Sequence, residues 1–304
     1  MELITELRPD VLYLNTVFSV REVILPVLIT MWKDPAVRIV AAPRGSLDPG
    51  ALSLKRMKKQ WFLRLLRMSH IPRTITWQAS TEKEAVAISN ALGTVHTVVA
   101  SNFPSPSPNP PAEPVKKEPG VLRIVFLSRI SPKKNLSYLI ERLTRVRGEL
   151  HLTIAGPIDD RHYWERCRSL IASLQTVRVT QVGTVPHEQV QEFMALHHIF
   201  ALPTLGENFG HAILEALSAG VGVLISDQTP WQGLEARGAG WNLPLDDPGA
   251  WEAVLQQCCD MTDREFQTMR IAAQATRNDF VDIPSITTAN LALFGCPPPS
   301  LGMK

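Results

Sequence analysis

Short apolar runs alternate along this chain with stretches whose apolar positions recur every three or four residues. In the first hundred residues the runs are Val11–Leu14, Val37–Ala41, Thr74–Trp77 and Thr97–Ala100. Val20–Trp32, Leu54–Met68 and Thr81–Leu92 carry helical periodicity between them. Five more runs follow at Arg123–Leu127, Leu150–Ala155, Val177–Val182, Ile199–Leu202 and Val221–Ile225, again alternating with helical stretches. Continuous apolar strands separated by helices predict parallel sheets covered on both faces. The segment Ser101–Gly120 interrupts the alternation with seven prolines and reads as an extended linker. Beyond Pro248 the pattern is helical at Trp251–Cys259, Glu265–Phe280 and Ser285–Phe294, ahead of a Pro/Gly-rich tail, Cys296–Lys304.

The predicted fold is therefore α/β, with two Rossmann-like doubly wound domains. Their expected extents are 1–100, a linker at 101–120, and 121–280. A helix and tail over 281–304 follow, for which a return to the first domain is one placement. Ligands of such sheets sit beyond the carboxyl ends of the strands, and a cleft between two such domains is the natural site.

Composition adds limits. With 304 residues, 45% hydrophobic and 20% charged, the chain is globular and long enough for two domains. The longest nearly apolar run, Val23–Trp32, is far short of the roughly 20 residues of a membrane span. No basic region precedes an apolar one at Met1-Glu2-Leu3, and Cys167, Cys258, Cys259 and Cys296 lack metal-ligand or disulfide spacing. A cytoplasmic setting follows as the expectation. Residues 1–119 hold 15 Lys/Arg against 10 Asp/Glu, whereas the remainder holds 16 against 19. A basic first half suits an anionic partner such as a phospholipid surface; ordinary surface variation explains it equally well.

The most informative stretch is Pro203–Gly220, where a strand breaks at Pro203 and Gly206 and a helix runs to Gly220. Glu207 and Glu215 lie eight positions apart, about 12 Å along a continuous helix. A glycosidase pair needs about 5 to 9.5 Å, so a two-carboxylate hydrolase is disfavoured. Two acids so placed suit an elongated polar ligand held at both ends, with helix-opening N–H groups near Asn208–Gly210 for phosphate. A capping Glu207 with a solvated Glu215 is the alternative. A second cluster, Ser128-Arg129-Ile130-Ser131-Pro132-Lys133-Lys134-Asn135, puts cations at a strand end, where they form a diphosphate clamp.

Glu207 to Glu215, with Phe209-Gly210 between them, resembles the E-x7-E motif of retaining GT-B glycosyltransferases, in particular family 4. Ser226–Trp231 and Gly238–Trp241 resemble bacterial members that build surface polysaccharides. Arg129 to Lys134 is similar to the family's G-R-L-x-x-x-K-G, with Ser128 and Asn135 in place of glycines; Gly222 stands where many members have Pro. The resemblance implies a GT-B fold and a nucleotide-diphospho-sugar donor of UDP, GDP or ADP type. It gives Glu207 the sugar hydroxyls and Glu215 the ribose. Arg129 and Lys134 take the diphosphate, with the Phe209 and Gly210 amides and with Asn208 and His211 beside them. Gly156-Pro157 resembles the family's aGxG loop, and Gly183 with Val185 its fxGxvp loop facing the base. Arg44, after a strand end, is the nearest candidate for the family's catalytic polar residue there. No metal or other cofactor is implied, since no Asp-x-Asp occurs and cations with a helix dipole serve instead.

The implied acceptor is a glycan or lipid-linked saccharide. Nucleic acid is not an expected partner. The resemblance runs from about Arg8 to about Phe294 and implies further βα units ahead of the first strand, so the first domain is expected to be incomplete. A partner or second copy completing its sheet is one expectation. A non-catalytic nucleotide-sugar-binding subunit is the alternative function; a dinucleotide oxidoreductase lacks its G-x-G-x-x-G. Finally, Leu54–Met68 is a basic amphipathic helix with an apolar stripe at Leu54, Met57, Trp61, Leu65 and Met68. It fits either an anionic membrane face or a helix packing that stripe on the sheet.

Overall fold

The computed structural model describes residues 6–48, 51–52, 56–103, 115–280 and 282–297. Most of the proline-rich segment, 104–114, and Leu54 of the basic helix lie outside them. The chain divides into two units, Met1–Phe103 with Asp282–Lys304, and Pro104–Val281.

In the first unit, β1 (Val11–Leu14) leads through a π-helical turn, Val20–Ile24, into α1 (Leu25–Lys33). Then come β2 (Arg38–Ala41), α2 (Arg56–Met68), α3 (Ile71–Thr74), β3 (Thr76–Ala79), α4 (Glu82–Leu92) and β4 (Thr97–Val99). The strands pair in parallel in the order β1-β2-β3-β4. Because the order advances in one direction, right-handed crossovers put α1, α2 and α4 on one face. Their residues Val27, Leu63, Leu66, Ile88 and Leu92, with Val23 of the π-helical turn, pack with Ile39, Ala41, Trp77 and Ala79 in one core. Val40, pointing the other way, meets Ala100 and Leu293. Leu293 belongs to the last helix, Ile283–Phe294, which is N-capped by Asp282. Asn290 of that helix donates to Ser101 O at 2.9 Å. The strand expected at Thr74–Trp77 begins two residues later. Pro72 sits at the start of α3, where its missing N–H costs nothing, and the turn consumes Thr74.

The second unit opens with β5 (Val121–Leu127) and α5 (Leu136–Leu143). It continues with β6 (Glu149–Ala155), α6 (Arg161–Ala172), β7 (Val177–Gly183), α7 (Val190–Ala195), β8 (Ile199–Leu202) and α8 (His211–Ser218). β9 (Gly222–Ser226), β10 (Gly240–Leu243), α9 (Pro248–Asp260) and α10 (Asp263–Phe280) complete it, and the helix Ile283–Phe294 of the first unit is α11. All pairings are parallel, in the order β10-β9-β8-β5-β6-β7. Every residue of β8 and β9 is buried, as continuous apolar runs require. Each fully enclosed Leu, Ile or Phe contributes about 1.5–3 kcal/mol. A Cβ at Gly222 would lie 2.5 Å from the Met269 sulfur of α10, so a larger residue there requires Met269 to move. β5 proceeds to β6 on one side while β8 proceeds to β9 on the other, so the sheet has its topological switch between β5 and β8. Crevices at the carboxyl ends of such strands are where α/β sheets bind ligands.

Candidate functional site

The carboxyl end of β5 turns at Ser128–Ile130 and enters a 3-10 turn, Pro132–Lys134. Asn135 ends that turn in the left-handed region at φ 57° and opens α5. Asparagine tolerates that conformation, which glycine otherwise serves. The neighbouring end of β6 is fastened to this loop: Ser128 N donates to Ala155 O at 3.0 Å and Ile130 N to Pro157 O at 2.8 Å. Gly156 has φ 128°, and a Cβ there would stand 2.0 Å from Ser128 O, so no side chain fits. Gly156 N in turn donates to Gly183 O at 2.6 Å, bringing in the end of β7. Val185 follows two residues beyond Gly183, ahead of a turn at His187–Gln189.

The loop Pro203–Gly210 leaves β8 beside this assembly. Buried Thr204 donates through Oγ1 to Lys133 O at 3.2 Å, and Leu205 N donates to the same carbonyl at 2.8 Å. Glu207 N donates to Gln228 O, 3.1 Å away beyond β9. So held, Glu207 forms an ion pair and hydrogen bond with Lys134 across the switch point. Each of the two side chains is only 12% exposed. Arg129 Nη1 pairs at 3.2 Å with Asp159 Oδ2, both well exposed. Asp159 was not singled out from sequence; its only signal is a position three residues past Gly156.

Helix α8 starts at His211, not within Asn208–Gly210 as the continuous-helix estimate assumed, because Gly210 is its N-cap at φ 80°. The 12 Å spacing therefore does not apply: three residues, Asn208, Phe209 and Gly210, separate Glu207 from the helix that carries Glu215. Gly210 has no side chain to occupy the first-turn N–H groups, whose dipole end favours an anion. Aromatic rings line this entry. Phe209 lies 4.8 Å from His211 and 5.9 Å from Trp231 between ring centroids, and Trp231 packs at 4.7 Å on Phe280. Trp231 is buried and donates its indole N–H to Phe209 O, fixing the loop before the helix. Deeper in α8, burial pushes the Glu215 carboxyl above the usual carboxylate range, and His187, 3.5 Å away, partly offsets this. His187 thus ties the Gly183–Val185 loop to the second glutamate, a pairing no sequence spacing announces.

The second unit therefore carries twelve of the thirteen sequence-selected residues at the carboxyl ends of β5, β6, β7 and β8 and on the loops and helix that follow them. They are Arg129, Lys134, Gly156, Pro157, Gly183, Val185, Glu207, Asn208, Phe209, Gly210, His211 and Glu215. Arg44 belongs to the first unit, just past β2 at φ 52°. Its guanidinium donates to Asn102, to Tyr13 Oη at 2.8 Å and to Asn15 Oδ1 at 3.3 Å. Tyr13 passes the network on to Gln78 at 2.5 Å.

The described helix α2 also corrects the packing option for the basic stripe. Leu63 and Leu66 face the sheet, while Met57, Trp61, Leu65 and Met68 are all at least 59% exposed. Arg67 is engaged elsewhere, donating to Ala91 O at 2.7 Å and Asn90 O at 2.6 Å at the end of α4.

Residues 122–260 match the family described as Glycosyl transferases group 1. Over 189 residues the chain is 32% identical to the phosphatidylinositol N-acetylglucosaminyltransferase gpi3 subunit of Schizosaccharomyces pombe, covering 59% of this chain and 38% of that one. Over 158 residues it is 29% identical to the O-antigen chain mannosyltransferase B of Escherichia coli, covering 50% and 40% respectively. The chain thus spans well under half the length of the curated relatives it matches. Anabaena HepE, solved in complex with UDP and glucose, superposes with a TM-score of 0.73 at 17% identity, covering 97% of this chain and 80% of that one. WaaG, a glycosyltransferase involved in lipopolysaccharide biosynthesis, gives 0.63 at 15% identity, covering 90% and 81%. At those identities the likeness is one of fold. Residues 122–260 accordingly form a glycosyl transferases group 1 domain, and the two parallel sheets of the chain have the GT-B architecture.

Proposed function

We propose that this chain is a retaining glycosyltransferase that moves a sugar from a nucleotide-diphospho-sugar to a hydroxyl of a glycan or lipid-linked saccharide. The observation that carries the reading is the Lys134–Glu207 pair at the β5/β8 switch point, next to a helix start without a capping side chain. A donor diphosphate fits between the Lys134 ammonium, the Arg129 fork and the first-turn N–H groups of α8, which together stabilise the charge that grows on the leaving group. Glu207, freed from Lys134 as the phosphate takes over that cation, accepts from sugar hydroxyls. Glu215 accepts from the ribose, and the loops at Gly156-Pro157 and Gly183–Val185 present main chain to the base. The bond from the anomeric carbon to the diphosphate oxygen breaks through an oxocarbenium-like state. The acceptor oxygen joins on the same face, and its proton leaves with the diphosphate. Arg44 is proposed to stabilise donor or acceptor phosphate through the guanidinium N–H groups that its three side-chain partners leave over.

A second reading is favoured by the Schizosaccharomyces pombe relative named as a subunit: a donor-binding chain that needs another polypeptide for transfer. Thermal shift against UDP-, GDP- and ADP-sugars selects the donor, because a ligand that binds the native state raises its stability. A transfer assay with that donor then separates the two readings. Arg129→Ala and Glu207→Ala are each expected to lower turnover at least a hundredfold, removing ~2.7 kcal/mol or more of transition-state stabilisation. Loss of threefold or less in either variant refutes the catalytic assignment.

A further inference from the structure

Helix α2 is apolar on two opposite sides. Lys59, Phe62, Leu63 and Leu66 lie toward the core, and Lys59 and Phe62 meet Phe18 beside it, at 5.0 and 5.5 Å from its ring. On the outward side Met57 is 74% exposed, Leu65 64% and Met68 77%, with Trp61 between them. Helix α1, which packs on the same core as α2, repeats the pattern: Val27 and Thr30 are buried, as is Val23 in the turn before it, while Leu25, Leu28 and Trp32 are exposed. Trp32 is 83% exposed. One outer face of the first unit thus carries two tryptophans and five large aliphatic or thioether side chains in the open. Isolated exposed apolar residues are ordinary; two helices of one layer that each expose an apolar stripe are not.

Around the α2 half of this face the charges have one sign, whereas α1 is flanked by exposed Glu22 and Asp34 beside Arg21 and Lys33. From residue 49 to residue 81 the sequence holds Lys55, Arg56, Lys58, Lys59, Arg64, Arg67 and Arg73, and no Asp or Glu. Lys58 and Arg64 are exposed on the two flanks of the α2 stripe, and the Arg64 guanidinium lies 5.6 Å from the Trp61 ring. An apolar strip with indole rings and a cationic margin is complementary to an anionic lipid surface. There the headgroups meet the cations, and Trp sits at the boundary between polar and acyl layers. Arg67 is excluded from this role by its bonds to the end of α4.

We propose that the outer face of α1 and α2 docks this protein on an anionic phospholipid bilayer, lying in the interface without crossing it. The inference stands on the surface of the first unit and does not depend on which donor or acceptor the second serves. The test is flotation of the full chain with vesicles of phosphatidylcholine alone and of phosphatidylcholine mixed with phosphatidylglycerol. Binding is expected to the mixed vesicles and not to the neutral ones, and to fall with salt. Lys58→Gln/Arg64→Gln should weaken it roughly 20- to 30-fold, the loss of two cations near an anionic surface. Trp32→Ser/Trp61→Ser/Leu65→Ser should lose it at least tenfold. All these side chains are exposed, so both variants are expected to keep the wild-type circular dichroism and donor-induced thermal shift. Equal flotation with neutral and anionic vesicles, or wild-type binding by either variant, overturns the proposal. So does failure to bind mixed vesicles together with a concentration-dependent dimer that the Trp/Leu variant abolishes, which assigns the face to a second copy. Donor binding is measured separately, so its failure leaves this result standing.

Discussion

At the scale of single residues, Glu215 carries a built-in conflict. Its side chain is 19% exposed, and desolvation holds its carboxyl above the usual carboxylate range despite His187 at 3.5 Å. Over the interval from the ordinary Glu value upward, the folded chain binds this proton more firmly than the unfolded chain. An ionised Glu215 near neutral pH therefore subtracts from stability, and subtracts less as the pH falls toward its raised value. Glu215→Gln keeps the shape and removes the charge. The unliganded variant should melt slightly higher than wild type near neutral pH, with the difference shrinking on acidification. If the carboxylate holds a ribose, the same variant should bind the donor at least tenfold more weakly, a loss of ~1.4 kcal/mol. Melting curves with and without donor check both halves. A Gln variant that is less stable, or that binds donor as well as wild type, contradicts the assignment.

At the scale of elements, strands were legible wherever apolar runs were continuous, because burial on both faces forces that pattern. The alternation of Ile39, Val40 and Ala41 between two cores is the same rule seen from inside. β10 escaped notice because Gly240-Trp241-Asn242-Leu243 is four residues long and begins with glycine, a composition that reads as turn. The shift of β3 came from Pro72, whose local turn outranked the β-branched residues after it. The electrostatic partners were illegible for another reason. Asp159 and His187 sit on loops that only strand order brings beside Arg129 and Glu215, and sequence separation carries no trace of that. The stitching of these loops makes a prediction of its own. Gly156 has φ 128°, with Ser128 O 2.0 Å from any added Cβ, so Gly156→Ala must push β5 and β6 apart at their carboxyl ends. It should cost about 2–4 kcal/mol, read as a lower urea midpoint. Because the displaced loop carries Arg129, donor affinity should fall as well, whereas Gly233→Ala, at φ 72° with open space around it, should cost less than half as much.

At the scale of the whole molecule, each unit has its own sheet and core, so acid can act on one and spare the other. His197 and His198 lead into β8 in the second unit, are buried, and are pushed down to about 4 chiefly by desolvation. For His198 the bonds also fix the neutral form. His198 Nδ1 accepts from Arg123 N at 3.0 Å, so its other nitrogen donates to Lys116 O at 3.3 Å. Protonation would set an N–H against the Arg123 N–H beside Lys117, with Phe266 closing the far side at 5.1 Å. The unfolded chain takes up these protons near 6.5 and the folded chain only near 4, so stability falls as pH drops through that window and levels off below it. Each histidine can withdraw on the order of 3 kcal/mol, less if the two titrate as a coupled pair. The described histidines of the first unit, His70 and His96, are both exposed. Carboxylates held low by hydrogen bonds, such as Asp263 and Asp282, lose their contribution only at more acid pH. Between pH 6.5 and 4, amide exchange should therefore accelerate in β5 and β8 well before it does in β2 and β3. Equal acceleration in both sheets would assign the acid sensitivity to charges spread over the whole surface, not to two buried rings at the foot of one strand.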